Sequence, residues 1–230
     1  MAAALMLVVA TAPIAWWWVP PARLTDWTAG PPAGSWAVRD HQAAEWAREG
    51  VTRPFQHEYR PLDRISIDLQ LAVLVGEDIN FFSHGGIDLA AVREAVSQWQ
   101  AGGRLRGAST ISQQLAKNLY LSNARSWLRK LREAKLAWWL ERRLGKRRIL
   151  ELYLNVIEFD EGVLGVEAAA RHFYGKGSGG VTGSEAAGLA AAIPAPRTAN
   201  PSTSTDSWQN RRRAIESRMS RADWLRRLLE

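Results

Sequence analysis

From Pro61 onwards, apolar residues recur at helical spacing, and this pattern constrains the fold more than any other feature of the chain. The stretch "RSWLRKLREAKLAWWLERRLG", residues 125–145, repeats apolar side chains every three or four positions and ends at a glycine. In "STISQQLAKNLYL", Thr110 and Gln113 have the spacing of a capping box, which predicts the start of a helix. Strand-like alternation is scarce. The predicted fold class is therefore mainly α.

The first 22 residues, "MAAALMLVVATAPIAWWWVPPA", carry no charge and contain about the number of apolar residues that a membrane-spanning helix needs. Trp16, Trp17 and Trp18 stand at the downstream end, where an aromatic belt is expected. A cleaved signal peptide is the alternative, but no basic segment precedes the run and Trp occupies the place of small cleavage-site residues. We expect an uncleaved single-span anchor over residues 1–22. Flanking charge does not give its orientation.

The segments on either side of the helical region differ in composition. Residues 23–54 are rich in Pro, Gly and Trp and predict a linker with one short helix near residues 41–49. Residues 206–230, which contain "RRRAIESRMSRADWLRRLLE", predict a basic C-terminal helix that either packs on the domain or rests on a membrane. The chain has no Cys, which excludes disulfides and thiolate metal sites and suits an extracytoplasmic protein.

Positive charge is concentrated in one segment. Residues 104–148 contain thirteen basic and two acidic residues, a net charge of +11, so the rest of the chain carries −4 against the total of +7. Trp127, Leu128 and Leu131 are interleaved with these charges, which argues against a simple solvated face. Amphipathic helices that carry Lys or Arg beside Trp and Leu can lie in a membrane interface. Together with the predicted anchor, the pattern favours a phosphate-bearing membrane surface over nucleic acid.

Three acids and one histidine stand out, and each has an ordinary interpretation. In "VGEDINFFSHGG", Glu77 and Asp78 end an apolar run, where acids are often caps or solvated turn residues. His84, before two glycines, is typical of a turn or packing histidine. Glu133 follows two basic residues at helical spacing, a pattern typical of a surface ion pair worth a few tenths of a kcal/mol. These residues alone do not give a function.

Six blocks follow one another along the chain: "EDINFFSHGGID", "RGASTISQQLAKNLYL", "RKLRE", "KRRILELYLNVIEF", "GVLGVEAAARHFYGK" and "EAAGLAAAIPAPRTANP". Together they resemble the peptidoglycan glycosyltransferases of glycosyltransferase family 51. The resemblance covers residues 55–205, which we take as the glycosyltransferase domain. No transpeptidase domain follows before residue 230 and no Ser-x-x-Lys motif is present. The match is therefore to the monofunctional type of the family.

The resemblance implies a lysozyme-like fold with a larger head lobe and a smaller lobe that dips into the membrane. It implies that the lipid-linked growing chain is transferred to the 4-hydroxyl of the GlcNAc of lipid II, with inversion and release of undecaprenyl pyrophosphate. The implied location is the bacterial inner membrane, with the catalytic domain on the periplasmic side. Lipid II, the lipid-linked glycan strand, the membrane and proteins of the division or elongation machinery are the implied partners. Nucleic acid is not expected.

The same match implies roles for the acids. Glu77 corresponds to the catalytic glutamate of the family, the base that deprotonates the 4-hydroxyl. Burial beside Phe81 and Phe82 would raise its pKa and make it a better base. Glu133 corresponds to the second essential glutamate, which organises the basic cluster or steadies charge at the anomeric carbon. Asp78 is expected to be structural or supporting.

Two further sets of residues are implied to bind substrate. The leaving pyrophosphate needs positive charge, and the candidates to hold it are Lys117, Arg125, Arg129 and Lys130. The candidates to contact sugar or line the cleft are Asp78, Phe81, Ser109, Thr110, Gln113, Gln114 and Asn118. Ser109 and Thr110 are also candidates for helix capping. No cofactor is required; a divalent cation, Mg or Mn, could bridge the pyrophosphate, although no metal-ligand cluster is visible in the sequence.

The chain departs from the family pattern at Ala108, Ser112 and Asp160, where Gly, Thr and Gly are common, but no matched acid or base is lost. Two other functions stay open. A lysozyme-like or lytic peptidoglycan hydrolase needs carboxylates and water but no pyrophosphate-binding cluster. A non-enzymatic, membrane-anchored basic scaffold explains the charge and the Trp content but leaves the ordered blocks unexplained.

Overall fold

The computed structural model describes residues 27–31, 36–102, 109–121 and 126–230. The predicted anchor, residues 1–22, lies outside the described residues, as do Ala108 and Arg125. Within the described ranges, no helix is both long enough and apolar enough to cross a membrane. The predicted mainly α fold class is confirmed, because helices dominate and the strands are only two or three residues long.

The described part of the chain contains α-helices and short strands in the following order. The elements are α1 (Ala37–Arg48), β1 (Gln56–His57), α2 (Ile67–Glu77), α3 (Leu89–Gln100), α4 (Ile111–Tyr120), α5 (Trp127–Val156), β2 (Glu158–Asp160), β3 (Val163–Leu164), α6 (Val166–Tyr174), α7 (Gly183–Ala192), α8 (Asp206–Met219) and α9 (Asp223–Leu229). Single turns of 3₁₀ helix lie at Leu62–Arg64, Phe81–Ser83 and Ser178–Gly180.

Helix α2 lies at the centre of the core. All residues from Leu69 to Val75 are buried, which explains why the sequence is apolar on every side of this helix. Helices α7, α8 and α9 pack against it. The helix ends at Glu77, so the packing of an apolar helix carries a carboxylate to the edge of the core.

Helices α4 and α5 pack against each other. The capping box predicted at the start of α4 is present: the backbone N of Gln113 donates to Thr110 Oγ1 at 3.2 Å, and the backbone N of Thr110 donates to Gln113 Oε1 at 3.1 Å. Helix α5 kinks at Gly145, whose φ of 70° and ψ of 162° are not helical. Glycine adopts this positive φ at little cost. The predicted stop at Gly145 is therefore a break between two helical stretches.

Strands β1, β2 and β3 form one small sheet in the order β1-β3-β2. Strand β1 pairs with β3 in parallel, with Gln56 opposite Val163. Strand β2 pairs with β3 antiparallel, and the register shifts between Glu158 and Asp160. The Oδ1 atom of Asp160 accepts a 2.8 Å hydrogen bond from the backbone N of Glu161, so this departure from the family pattern is accommodated in the turn that follows β2.

The segment predicted as a linker contributes to the buried interior. Helix α1 corresponds to the predicted short helix, but Trp27, Trp36 and Trp46 are also buried. The indole Nε1 of Trp46 donates to Glu161 at 2.6 Å. Composition predicted a linker because Pro and Gly are frequent there, whereas the tryptophans decide the structure through the apolar area that they bury.

The prediction of a single basic C-terminal helix is wrong. Helices α8 and α9 are separated by a turn at residues 220–222. Both helices bury apolar residues, namely Trp208 and Ile215 on α8 and Leu225 and Leu229 on α9. The basic residues obscured this apolar pattern in the sequence. The C-terminal segment packs on the domain, which was one of the two alternatives that the sequence left open.

Candidate active site

Glu77 is a largely buried carboxylate at the end of α2, and only 9% of its side chain is exposed. Its Oε2 accepts a 2.7 Å hydrogen bond from Gln114 Nε2, and its Oε1 accepts a 2.6 Å hydrogen bond from Arg211 Nη2. Burial raises the pKa of Glu77; Gln114 and Arg211 oppose the rise without cancelling it, and Asp78 adds to it. Glu77 is thus an ionisable group of increased basicity, as a general base requires.

Asp78 connects the end of α2 to the start of α4. Its carboxylate accepts from the backbone N of Ile111 at 3.0 Å and from His84 Nε2 at 3.0 Å. The backbone N of Gly86 donates to His84 Nδ1, so Nδ1 is the acceptor nitrogen and Nε2 carries the hydrogen given to Asp78. These contacts support a structural role for Asp78, and they agree with the interpretation of His84 as a turn and packing residue.

Phe81 is completely buried in the 3₁₀ turn that follows Asp78. Its backbone N donates to the carbonyl of Asp78 at 3.1 Å, and its ring lies 5.1 Å from that of Phe82 between centroids. The ammonium of Lys146 lies 4.3 Å from the Phe81 ring centroid. Phe81 is therefore anchored in the core beside the acidic pair. A contact between Phe81 and substrate stays a prediction.

Thr110 and Gln113 are buried, and the Thr110 hydroxyl and the Gln113 side-chain carbonyl have hydrogen-bond partners within the protein. Thr110 Oγ1 donates to the carbonyl of Gly86 at 2.6 Å in addition to its part in the capping box. Ser112 donates to Glu141 at 2.5 Å. The bond of Thr110 fixes the start of α4 relative to the loop after Asp78, and the bond of Ser112 joins it to α5. Contact of Thr110 or Gln113 with substrate stays a prediction.

Gln114 is held in one orientation by Tyr153. The hydroxyl of Tyr153, a wholly buried residue of α5, donates to Gln114 Oε1 at 2.9 Å. The amide nitrogen of Gln114 then faces Glu77, to which it donates. Burial raises the pKa of Tyr153 well above its usual range, and the negative charge of Glu77 adds to this. Tyr153 therefore stays a hydrogen-bond donor.

Glu133 is buried between two cations, with 3% of the residue exposed. Arg129 Nη1 donates to its Oε2 at 2.7 Å, and the ammonium of Lys130 contacts its Oε1. Lys130 also donates to Ser109 Oγ at 2.8 Å. The helical spacing suggested a surface ion pair, but Glu133 is buried, while Arg129 is partly exposed and Lys130 is exposed. Glu133 balances one of the two positive charges, and the exposed parts of Arg129 and Lys130 present the remaining positive charge to solvent.

Residues of this arrangement line two cavities. One, of about 130 Å³, is lined by Glu77, Asp78, Ile79, Asn80, Asp88, Ala91, Ser109 and Thr110. The other, of about 190 Å³, is lined by Val38, Gln114, Lys117, Asn118, Ile157, Glu158, Ile193, Pro194 and Pro196. Among the described side chains, no group of three or more His, Asp or Glu residues is placed to hold a metal ion.

Lys117 connects the second cavity electrostatically to the Glu133 cluster. Burial lowers the pKa of Lys117, the charge of Glu133 opposes this, and the charges of Arg129 and Lys130 reinforce it. Lys117 lies three residues after Gln114 on α4, and both line the second cavity. Helix α4 therefore places a partner of Glu77 and a cation near Glu133 along one cavity wall.

Comparison with known protein families shows to which family the chain belongs. The family model described as Transglycosylase matches residues 44–220. The chain belongs to the transglycosylase family. The matched region begins within α1 and extends to the end of α8, so it is longer at both ends than the predicted domain of residues 55–205.

Individual relatives of this transglycosylase-family chain are named biosynthetic peptidoglycan transglycosylase. The protein of Shewanella amazonensis is 44% identical over 195 residues, which cover 84% of this chain and 74% of the relative. That of Marinomonas sp. is 43% identical, with 77% and 80% covered. That of Methylobacillus flagellatus is 46% identical, with 73% and 74% covered. The chain is thus similar to these proteins over most of their length.

The structure also brings residues to the site of this transglycosylase-family member that the sequence did not single out. Arg211 reaches Glu77 from α8, and Tyr153 reaches Gln114 from α5. Arg211 lies 134 residues after Glu77 in the chain, and no spacing rule links two such positions. In the sequence, Tyr153 lies within the block "KRRILELYLNVIEF", and no other feature marked it as a site residue. Arg125 lies outside the described residues.

Proposed function

We propose that this protein polymerises the glycan strands of peptidoglycan. In this reaction the lipid-linked growing strand is transferred to the 4-hydroxyl of the GlcNAc of lipid II, and undecaprenyl pyrophosphate is released. Membership of the transglycosylase family and the names of its relatives support the activity. The substrate lies in the cell envelope, where we therefore locate the protein.

The observation that carries the proposal is the buried carboxylate of Glu77, with its raised pKa, in the wall of a cavity. In the proposed step, Glu77 takes the proton of the acceptor 4-hydroxyl as the oxygen forms a bond to the anomeric carbon of the donor MurNAc. The bond from that carbon to the pyrophosphate oxygen breaks, and the electron pair leaves with the lipid pyrophosphate. Attack opposite the leaving group inverts the anomeric configuration.

The departing pyrophosphate is an anion, so stabilising it requires positive charge more than a strong acid. Lys117, Arg129 and Lys130 are proposed to supply that charge, together with Arg125. A guanidinium binds phosphate oxygens in pairs, whereas an ammonium acts as a point charge. Glu133 would hold Arg129 and Lys130 in place, which its contacts with both side chains support.

The remaining candidates are proposed to line the sugar and phosphate path. Gln114 and Asn118 face the second cavity and have polar groups suited to sugar or phosphate oxygens. Ser109 lines the first cavity beside Glu77 and accepts from Lys130. Asp78, Phe81, Thr110 and Gln113 would act mainly by shaping the walls. A divalent cation, Mg or Mn, would add positive charge for the pyrophosphate if one binds, and no step of the reaction is assigned to it.

Exposed apolar side chains support a membrane-facing smaller lobe. On α3 the side chains of Leu89 and Trp99 are 62% and 60% exposed, and at the start of α5 those of Trp127 and Leu128 are 71% and 50% exposed. Apolar side chains of this size favour a lipid interface over water. With residues 1–22 as a single span, the domain would lie on the periplasmic face of the inner membrane, within reach of division or elongation proteins.

The test is incubation of the purified full-length chain with labelled lipid II in detergent, with products resolved on a gel beside a muramidase-treated aliquot. A ladder that muramidase collapses is the expected result. Breakdown of preformed glycan in a parallel tube would indicate a hydrolase instead. Unconsumed lipid II in several detergents, with Mg, with Mn and with a chelator, would indicate a non-enzymatic scaffold.

A further inference from the structure

Helix α8 lies against the C-terminal end of α2, where Glu77 is the last helical residue. Arg218 Nη1 donates to the carbonyl of Val75 at 3.3 Å, and Arg211 Nη2 donates to the carbonyl of Gly76 at 2.9 Å. A Cβ atom on Gly76 would lie only 3.1 Å from Ile215 Cδ1. The absence of a side chain at Gly76 thus allows the close approach of α8, and two arginines cap the end of α2.

Arg211 does more than cap the helix, because the same Nη2 atom also donates to Glu77 Oε1 at 2.6 Å. Among the described contacts, the side chain of Arg218 hydrogen-bonds only to the backbone of α2. Each carboxylate oxygen of Glu77 therefore accepts a hydrogen bond from a different partner, Oε1 from Arg211 and Oε2 from Gln114. Each carboxylate oxygen has two lone pairs, so each one keeps acceptor capacity for a substrate proton.

We propose that Arg211 is a positioning residue of the active site, which keeps the buried Glu77 carboxylate ionised and fixes its orientation for proton abstraction. This inference rests on the proposed function of Glu77. It makes α8, the helix to which the sequence assigned no chemistry, a functional part of the catalytic centre.

The physical need for such a cation follows from the surroundings of Glu77. Burial and the negative end of the α2 dipole both disfavour a carboxylate there. The adjacent Asp78 adds negative charge, and Asp88 lines the same cavity. On the α5 side, the facing group is the hydroxyl of Tyr153, which donates to Gln114 rather than to Glu77. The positive charge of Arg211, from α8, opposes these effects. Without Arg211 the pKa of Glu77 would be higher, so the carboxylate would take up a proton at a higher pH.

The experiment compares the pH dependence of kcat on lipid II for wild type, Arg211→Gln and Arg211→Lys. The acidic limb of the Arg211→Gln profile should move to higher pH by about one unit, the size expected when a charge-assisted hydrogen bond to the base is lost. KM should change little, and Arg211→Lys should restore most of the shift. Loss of activity that is equal at every pH, or no loss at all, would overturn the proposal.

Two arginines of the same helix provide matched controls. Arg218→Gln removes a cap from α2 without touching Glu77 and should lower thermal stability without moving the pH profile. Arg213 is exposed and donates to Asn210 at 2.7 Å, so Arg213→Gln removes one charge from α8 and should leave both properties unchanged. If either control moves the acidic limb as far as Arg211→Gln does, Arg211 has no special role.

A readout independent of turnover separates this inference from the proposed function. Side-chain carboxyl ¹³C NMR follows the titration of Glu77, whose resonance is assigned by its loss in Glu77→Gln. Arg211→Gln should raise the titration midpoint. If wild type forms no polymer but the midpoint moves, the proposed function fails and the influence of Arg211 on Glu77 stands. If wild type polymerises and the midpoint does not move, the inference about Arg211 fails.

Discussion

Gln114 Nε2 lies 2.7 Å from Glu77 Oε2, and this contact joins helix α4 to the end of α2. One turn further along α4, Lys117 is influenced by the charge of Glu133 on α5. The two glutamates are thus connected through one short helix, although they lie on different helices. A base for the acceptor hydroxyl and a cationic site for the leaving pyrophosphate can therefore be held in a fixed relationship.

Glu133→Gln should reduce polymerisation by on the order of 100-fold, comparable to the loss of one preorganised electrostatic group. The amide keeps the shape but no longer balances Arg129 and Lys130, so these cations would lose their fixed positions. The measurement is kcat on lipid II, with thermal unfolding as the control for folding. Full activity in a folded Glu133→Gln protein would show that Glu133 is not needed to organise the cluster.

His84→Ala should lower the free energy of unfolding by about 1–3 kcal/mol, because the buried Asp78 carboxylate would lose a donor. Urea denaturation measures this change. His84→Gln retains an amide donor and should recover part of the loss. Equal stability of His84→Ala and wild type would contradict the role of His84 as a support for Asp78.

Glu167 should make the protein sensitive to acid. Burial alone would raise its pKa, but hydrogen bonds from Arg60 and Ser178 outweigh burial and lower the pKa from 4.5 to about 2. The ionised Glu167 therefore contributes at most about 3 kcal/mol to the free energy of unfolding. This contribution is complete above about pH 4.5 and disappears as the pH falls towards 2. The stability gap between wild type and Glu167→Gln should narrow over this interval in urea titrations at each pH. Glu94→Gln, an exposed change of the same charge, should show no gap.

The start of α5 should enter the lipid interface. Because the chain has no Cys, Leu128→Cys can be labelled at one position with an environment-sensitive fluorophore. Its emission should shift to the blue when the full chain is placed in vesicles containing anionic lipid. Leu228, which is 51% exposed on α9, provides a matched control as Leu228→Cys. An equal shift at both positions would contradict a membrane-facing surface specific to α5.

The sequence predicted local features of the site well. The capping box of Thr110 and Gln113 depends on residues three positions apart. The helix end predicted at Gly145, which in the structure is a kink within α5, depends on one residue. The grouping of Glu133 with Arg129 and Lys130 likewise follows from helical spacing. In each case the interaction is nearly fixed by neighbours in the chain, so no knowledge of the tertiary fold was needed.

Features that depend on tertiary packing were missed. The burial of Glu133 could not be predicted, since spacing does not tell an exposed ion pair from a covered one. The contact between Arg211 and Glu77 arises because α8 docks against the end of α2, beside Gly76. Composition concealed this docking, because α8 carries four arginines among few apolar residues. The core position of Trp27 was missed for the opposite reason, since its Pro- and Gly-rich surroundings resemble a linker.

The most direct test of Glu77 as the base is polymerisation of lipid II by wild type and Glu77→Gln, measured side by side with lipid II binding and thermal unfolding. The substitution keeps the shape of the side chain and removes its basicity. Glu77→Gln should lose activity by on the order of 100-fold or more, the range attributed to general base catalysis, while folding and lipid II binding persist. Polymerisation by folded Glu77→Gln at the wild-type rate would contradict the assignment of Glu77 as the base.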